Sequence, residues 1–322
     1  MRISVIRIRH IELWGALLLA VICTVYPTVL QAQGARRSAQ NENTTSSRHS
    51  EKFEGIFAFA NGNGDGLLSA MKSDVPTSTE MKGLDSAVCD GGSLLQVAFV
   101  THQGESPDST GRYFPENFDR LEGNRFRVTR GKAPAGASCL VTQNQRISQE
   151  KLIPITRLRA NVQFSAPDAT GRQMHVSYQP CGQQTESELN RSRKGRRLRF
   201  CGEIARLGAT MHLMVAEFER RGNDLLAAIA LNTGNRLIVY DMPAKYDESN
   251  VSGWRVGDQG QLGMEDTPNI FTPLFAWHDA ADGTIYLGLK WSGEEGQTLM
   301  LLRSSGSAFE KILGGYLYTA PL

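Results

Sequence analysis

The chain has 322 residues, with 35 Lys or Arg against 33 Asp or Glu, a formal net charge of +2, 40% hydrophobic residues, 6 His and 5 Cys. A balance that close provides no chain-wide attraction to nucleic acid or to an anionic membrane. The histidines are scattered, without H-E-x-x-H spacing, and G-x-S-x-G, P-loop and dinucleotide fingerprints are absent, so no catalytic motif is visible.

Residues 1–32 read as an export signal. Arg2, Arg7 and Arg9 form a basic start, residues 13–30 are almost wholly apolar, and Leu30-Gln31-Ala32 offers a cleavage site ending on a small residue. The expected mature chain begins near Gln33 and is secreted or periplasmic. The rival is a membrane anchor made by an uncleaved N-terminal helix, since the apolar run also reaches across a bilayer core. A lipidated Cys23 fits less well, because the preceding Ile22 is not small. Loss of Arg2, Arg7, Arg9 and Glu12 equalises basic and acidic residues, so the mature chain is formally neutral. Residues 33–52 are polar and read as a disordered tether.

The first local motif of the folded part is Asn61-Gly62-Asn63-Gly64-Asp65-Gly66. It resembles the start of the calcium loop of EF-hand and dockerin-like segments, which implies a cation held by Asn61, Asn63 and Asp65. The resemblance covers these six residues only. It departs at neutral Asn61, where Asp is usual, and at Lys72, where a bidentate carboxylate is needed. A solvated turn explains the same letters, because Asn and Gly tolerate positive φ. No cofactor is expected beyond calcium at this turn.

Period-two alternation dominates the remainder of the chain. Leu95/Val97/Phe99, Phe126/Val128, Met174/Val176/Tyr178, Leu225/Ala227/Ile229/Leu231 and Ile285/Leu287/Leu289/Trp291 each describe a strand with one buried face. Turn residues separate such runs at 168–171, 221–224, 232–235, 282–283, 292–293 and 305–306, which implies antiparallel hairpins. Helices are short, near residues 69–72, 80–87 and 116–121. The expected fold is all-β, mainly antiparallel, sandwich- or barrel-like, with few short helices and two packed β-subdomains. A boundary near 203–208 divides a disulfide-stapled part, 53–205, from an antiparallel part, 206–322.

Cys89, Cys139, Cys181 and Cys201 remain after the signal, an even number suited to two disulfides in an oxidising compartment. Of three connectivities, proximity favours Cys89 with Cys139 and Cys181 with Cys201. Inside the second interval lie Arg191, Arg193, Lys194, Arg196, Arg197 and Arg199. A loop bounded by that disulfide presents guanidinium forks suited to phosphate, sulfate or carboxylate. Its bland counterpart is a solvated loop with Glu186 and Glu188 as counter-charges. His278 and Asp279 stand at a hairpin lip after Phe275 and Trp277, a second candidate contact. Tyr113, Phe114, Phe118, Trp254, Trp277 and Trp291 are core or, if exposed, a platform for sugar or protein.

The expected function is an exported, non-enzymatic binding protein of the envelope or extracellular space. Its partner is a polyanion, such as lipopolysaccharide or acidic polysaccharide, or an envelope protein, met through the basic loop. The alternative is an exported hydrolase of carbohydrate or a similar polymer, with paired carboxylates drawn from Glu105, Asp108, Glu116, Glu265, Asp266, Glu294 and Glu295.

Overall fold

Short runs buried on both faces make β1 (Gly55–Ala60), β2 (Gly66–Ser69), β3 (Ser86–Cys89) and β6 (Ser138–Thr142), and longer, partly exposed runs make β4 (Ser93–Gln103) and β5 (Gly123–Arg130). The computed structural model describes residues 55–69, 78–159, 161–164, 174–193, 195–245, 271–279, 281–292 and 296–319. The expected signal and tether lie outside these residues, as do Lys194, Trp254, Glu265, Asp266, Glu294 and Glu295. Strands β1 to β6 close into a barrel, order β1-β2-β5-β4-β3-β6, with every pair antiparallel. Ile56, Ala58, Leu67, Leu95, Val97, Phe126 and Val141 fill its interior, joined by Met81 from the short helix α1 (Ser78–Lys82). Cys89 and Cys139 stand opposite each other on β3 and β6 and are disulfide-bonded inside this core.

The later chain forms β7 (Ile155–Arg157), β8 (Asn161–Phe164), β9 (Met174–Ser177), β10 (Gln179–Pro180) and the helix α2 (Gln183–Ser192). Then come β11 (Leu198–Leu207), β12 (Met211–Arg221), β13 (Asp224–Asn232), β14 (Leu237–Lys245), β15 (Phe271–His278), β16 (Ile285–Ser292), β17 (Gly296–Ser305) and β18 (Ala308–Tyr318). The antiparallel pairs β12–β13, β13–β14, β15–β16, β16–β17 and β17–β18 fall where turn chemistry places hairpins, while the expected turn at 168–171 lies outside the described residues. β8 and β9 pair with each other. The rest form a 10-stranded sheet along the path β10-β11-β12-β13-β14-β18-β17-β16-β15, with β7 also on β11.

That sheet curls almost into a second barrel. Leu152 bridges Trp277, and Ile153 N–H donates to Ala276 O, so residues 152–157 lie between the β15 edge and β11. Leu213, Val215, Ile229, Leu231, Ile238, Leu287 and Leu302 line the interior. Because side chains alternate, Met214, Ala216, Ala228 and Ala230 face outward, and the small alanines make room for α2.

β14 and β18 are the weak joint. They run parallel, and their register contains one pair, Val239 with Ala308. Val239 N–H donates across it to Ser307 O, so by alternation the backbone groups of Asp241 and Pro243 also point towards the seam.

The two barrels meet outer face to outer face. Phe57, Phe59, Leu68, Val88 and Leu140 of the small barrel share one buried cluster with Leu274, Phe275, Trp277, Leu299 and Leu301 of the large one. Gly288 permits the close fit of Phe275, whose ring lies 2.2 Å from where a Cβ would stand. Arg157 adds a polar tie, donating to Pro273 O at 2.9 and 2.7 Å and pairing with Asp90 just after β3. The described residues thus form one compact unit. The expected boundary at 203–208 falls in β11 and its hairpin with β12; the strand systems part between Thr142 and Ile155, where closure of the small barrel has used both edges of β6.

Candidate binding site

Cys181 is bonded to Cys201, and the interval they bound is half helix rather than a loop throughout. α2 buries only Thr185 and Leu189 on the outer face of β12 to β14. Polar ties set its position. Asn232 Nδ2 donates to Thr185 Oγ1 at 3.0 Å, and Leu198 N–H donates to Asn190 Oδ1 at 2.9 Å.

The arginines beyond α2 are met by carboxylates from distant strands. Arg193 donates to Asp241 at 2.9 and 2.8 Å, Arg199 to Glu217 at 3.1 Å, and Arg197 lies 4.0 Å from Glu219. Arg196 donates to the backbone O of Asp224, whose carboxylate pairs with Lys245. The hydrogen bond and charge of Lys245 hold that exposed carboxyl below its ordinary range. Arg191 is exposed in the last turn of α2, and Lys194 is outside the described residues. The Arg197 side chain is 80% exposed, whereas Glu217 is 3% exposed. Alternating with Leu213 and Val215, Glu217 faces the barrel interior and aims Arg199 at its rim.

Register puts all these groups at one end of the large barrel, where Leu198 meets Phe218, Arg221 meets Asp224 and Asp224 meets Lys245. Phe271 and Trp291, paired with each other, stand at the same end. Half-buried Tyr178, Phe200, Tyr240, Met242 and Trp291 pack on the interior cluster behind this end, Tyr240 from the middle of β14 opposite Ile229. Tyr178 and Phe200 meet edge to face at 5.7 Å, and Phe271 stacks on Trp291 at 6.3 Å. Gly202 is required beneath them, since a Cβ would lie 2.5 Å from Tyr178. Trp291 Nε1 is buried and has no hydrogen-bond partner among the described residues. A buried orphan donor is uncommon and calls for an acceptor.

Burial raises the Tyr178 phenol above its ordinary value. The unfolded chain therefore releases this proton first, and stability should fall as pH rises above about 10. Tyr178→Phe should remove a late-titrating component from the phenolate absorbance and soften the alkaline loss of stability. Loss of a component from the ordinary tyrosine range instead would show that Tyr178 ionises as an exposed tyrosine.

The other sequence candidates stand apart from this end. Asn61 Oδ1 accepts from the backbone N–H of Asp65 and Gly66 at 3.1 and 3.3 Å, and its Nδ2 donates to Asp65 at 2.7 Å. The turn from β1 to β2 is thus closed by side chains the calcium reading offers to an ion, and Asn63 is exposed on it. Gly64 has φ +71°, and a Cβ there would meet Ala133 O at 2.0 Å, so the turn itself demands this glycine. Asp279 accepts from Ala281 N–H at 3.0 Å within the β15–β16 turn, beside exposed His278. Trp277 is buried, stacked on Tyr286 at 4.7 Å. Phe118 is buried, Tyr113 half-buried and Phe114 exposed. Asp108 is bound to Ser106 and Arg120.

A cluster not singled out from sequence lies on the outer wall, where buried Glu203 accepts from His212 Nδ1 at 2.8 Å and Arg206 at 3.2 Å. The bulge between Glu203 and Ala205 places it there, and bulges leave no mark in simple alternation. Among the described residues no group of three His, Cys, Asp or Glu side chains converges as a metal-ligand set, and no helix is long and apolar enough to cross a membrane. Compared with protein families, curated proteins and solved structures, the chain matches none.

Proposed function

We propose that this is an exported, non-enzymatic binding protein that holds a polyanionic partner at the arginine-bearing end of its large barrel. The supporting observation is the concentration there of Arg191, Arg193, Arg196, Arg197, Arg199, Arg221 and Lys245, which exceed the interleaved Glu217, Glu219, Asp224 and Asp241. The guanidinium of exposed Arg197, beside one carboxylate, has further N–H groups for an anion. Two disulfides and the N-terminal pattern support a life outside the cytoplasm.

Binding to heparin or lipopolysaccharide should weaken by roughly tenfold or more between low and physiological salt, as counterions compete for the guanidiniums. The side chains to remove are Arg191, Arg197 and Arg221, which are exposed; Arg193 and Arg199 also anchor the fold through Asp241 and Glu217. The triple serine variant should lose most of the binding and keep its thermal midpoint, because exposed charges add little to folding. Undiminished binding by that variant would move the function away from this end.

A further inference from the structure

We infer that the aromatic interior behind the rim takes sugar rings, so that the polyanion is an acidic oligosaccharide rather than a nucleic acid or polyphosphate. This deepens the binding role proposed above and rests on it. Three features carry it.

The first is the alternation of charge. Arg193 with Asp241, Arg197 with Glu219, Arg199 with Glu217 and Lys245 with Asp224 put a carboxylate beside four of the cations. A chain with a charge on every unit brings its phosphates against those carboxylates as well as against the arginines, and like charges so placed are penalised. An acidic glycan spaces its acid groups and carries hydroxyls between them. Those hydroxyls donate to carboxylates while the acids accept from arginine.

The second is the ring of aromatics behind the same end. Tyr178, Phe200, Tyr240, Phe271 and Trp291 are not all sealed away: four of them are half-buried against the interior cluster. The mouth of a β-barrel is a recurrent place for a ligand, with an apolar lining and a few polar groups that fix orientation. The C–H face of a sugar ring packs on such rings while its hydroxyls remain at the wet edge.

The third is Trp291 Nε1, a buried donor without an acceptor among the described residues. Nothing stacked on it supplies an acceptor, since its ring neighbour is Phe271. A hydroxyl, ring oxygen or carboxylate of a bound sugar supplies what is missing.

The test uses the whole mature protein and Trp291→Phe, which keeps a ring and removes the N–H. Affinities are measured by calorimetry for heparin-derived or polyuronate oligosaccharides, for inorganic polyphosphate and for single-stranded DNA. Trp291→Phe should weaken oligosaccharide binding about tenfold, as expected for a lost hydrogen bond to a charged or polar ligand, and leave the weaker polyphosphate binding unchanged. The indole N–H resonance assigned by its loss in Trp291→Phe should shift when oligosaccharide is added to the wild-type protein, a readout that does not depend on the variant's stability. If oligosaccharide binds with that resonance unmoved and Trp291→Phe equal to wild type, the sugar site is overturned while binding at the rim stands. Tighter binding of polyphosphate or DNA than of oligosaccharide overturns the glycan assignment. Failure of every polyanion to bind overturns the parent reading and this one with it.

Discussion

Alanine in place of both Cys89 and Cys139 is expected to lower the unfolding free energy by about 4 kcal/mol, against about 3 kcal/mol for the same change at Cys181 and Cys201. The difference follows from the closed segments, with separations of 50 and 20 residues: the longer one restricts the unfolded chain more. Position adds to it. Cys89 and Cys139 are both 0% exposed and face each other across β3 and β6, so their loss also removes packed atoms from the interior of the small barrel. Guanidinium unfolding of the two double variants, with slopes compared as well as midpoints, measures the order. The reverse order would mean that the small barrel's unfolded chain is already constrained without its bridge.

Trp277→Ala is expected to cost about 3 to 5 kcal/mol, the range for removing a fully buried large aromatic. Trp277 is 1% exposed, and its cluster contains residues of both barrels. The wild-type protein should therefore unfold in one transition, each barrel burying an outer face on the other. In Trp277→Ala the shared face is weakened while the two interiors are untouched, so the transition should broaden or split, with near-ultraviolet and far-ultraviolet signals no longer coincident. A loss below about 1 kcal/mol with coincident signals would falsify the junction as a source of coupling.

Much of the strand pattern was legible because these strands have one wet face or one small-residue face. Leu225, Ala227, Ile229 and Leu231 alternate as a strand, and β13 contains them; Ile285 to Trp291 likewise became β16. Turn residues marked the hairpins, and proximity along the chain selected the disulfide pairs that formed. α2 was not legible. Its residues, Gln183 to Ser192, include one apolar side chain, Leu189, and its position depends on Asn232, Leu198 and Asp241, which come later in the chain. The counter-charges were misplaced for a related reason. Glu186 and Glu188 are near the arginines in sequence, but Glu217, Glu219 and Asp241 are brought to them by strand pairing. The aromatic end was invisible as a unit, since Tyr178, Phe200, Tyr240, Phe271 and Trp291 come from separate parts of the chain and only register gathers them.

The parallel joint between β14 and β18 bears on how this protein behaves when crowded. Among the described residues β14 has a single paired position with β18, and the backbone groups beyond it are a place where a strand of another copy could pair. Pro243 lies on that edge, at a position where its pairing with Leu226 in β13 demands no N–H, so the fold tolerates it. An incoming strand does demand one there, and its ladder is interrupted two residues after Asp241. Pro243→Val would supply a donor there, and faster aggregation of that variant at high concentration would identify the ring as a barrier to such pairing.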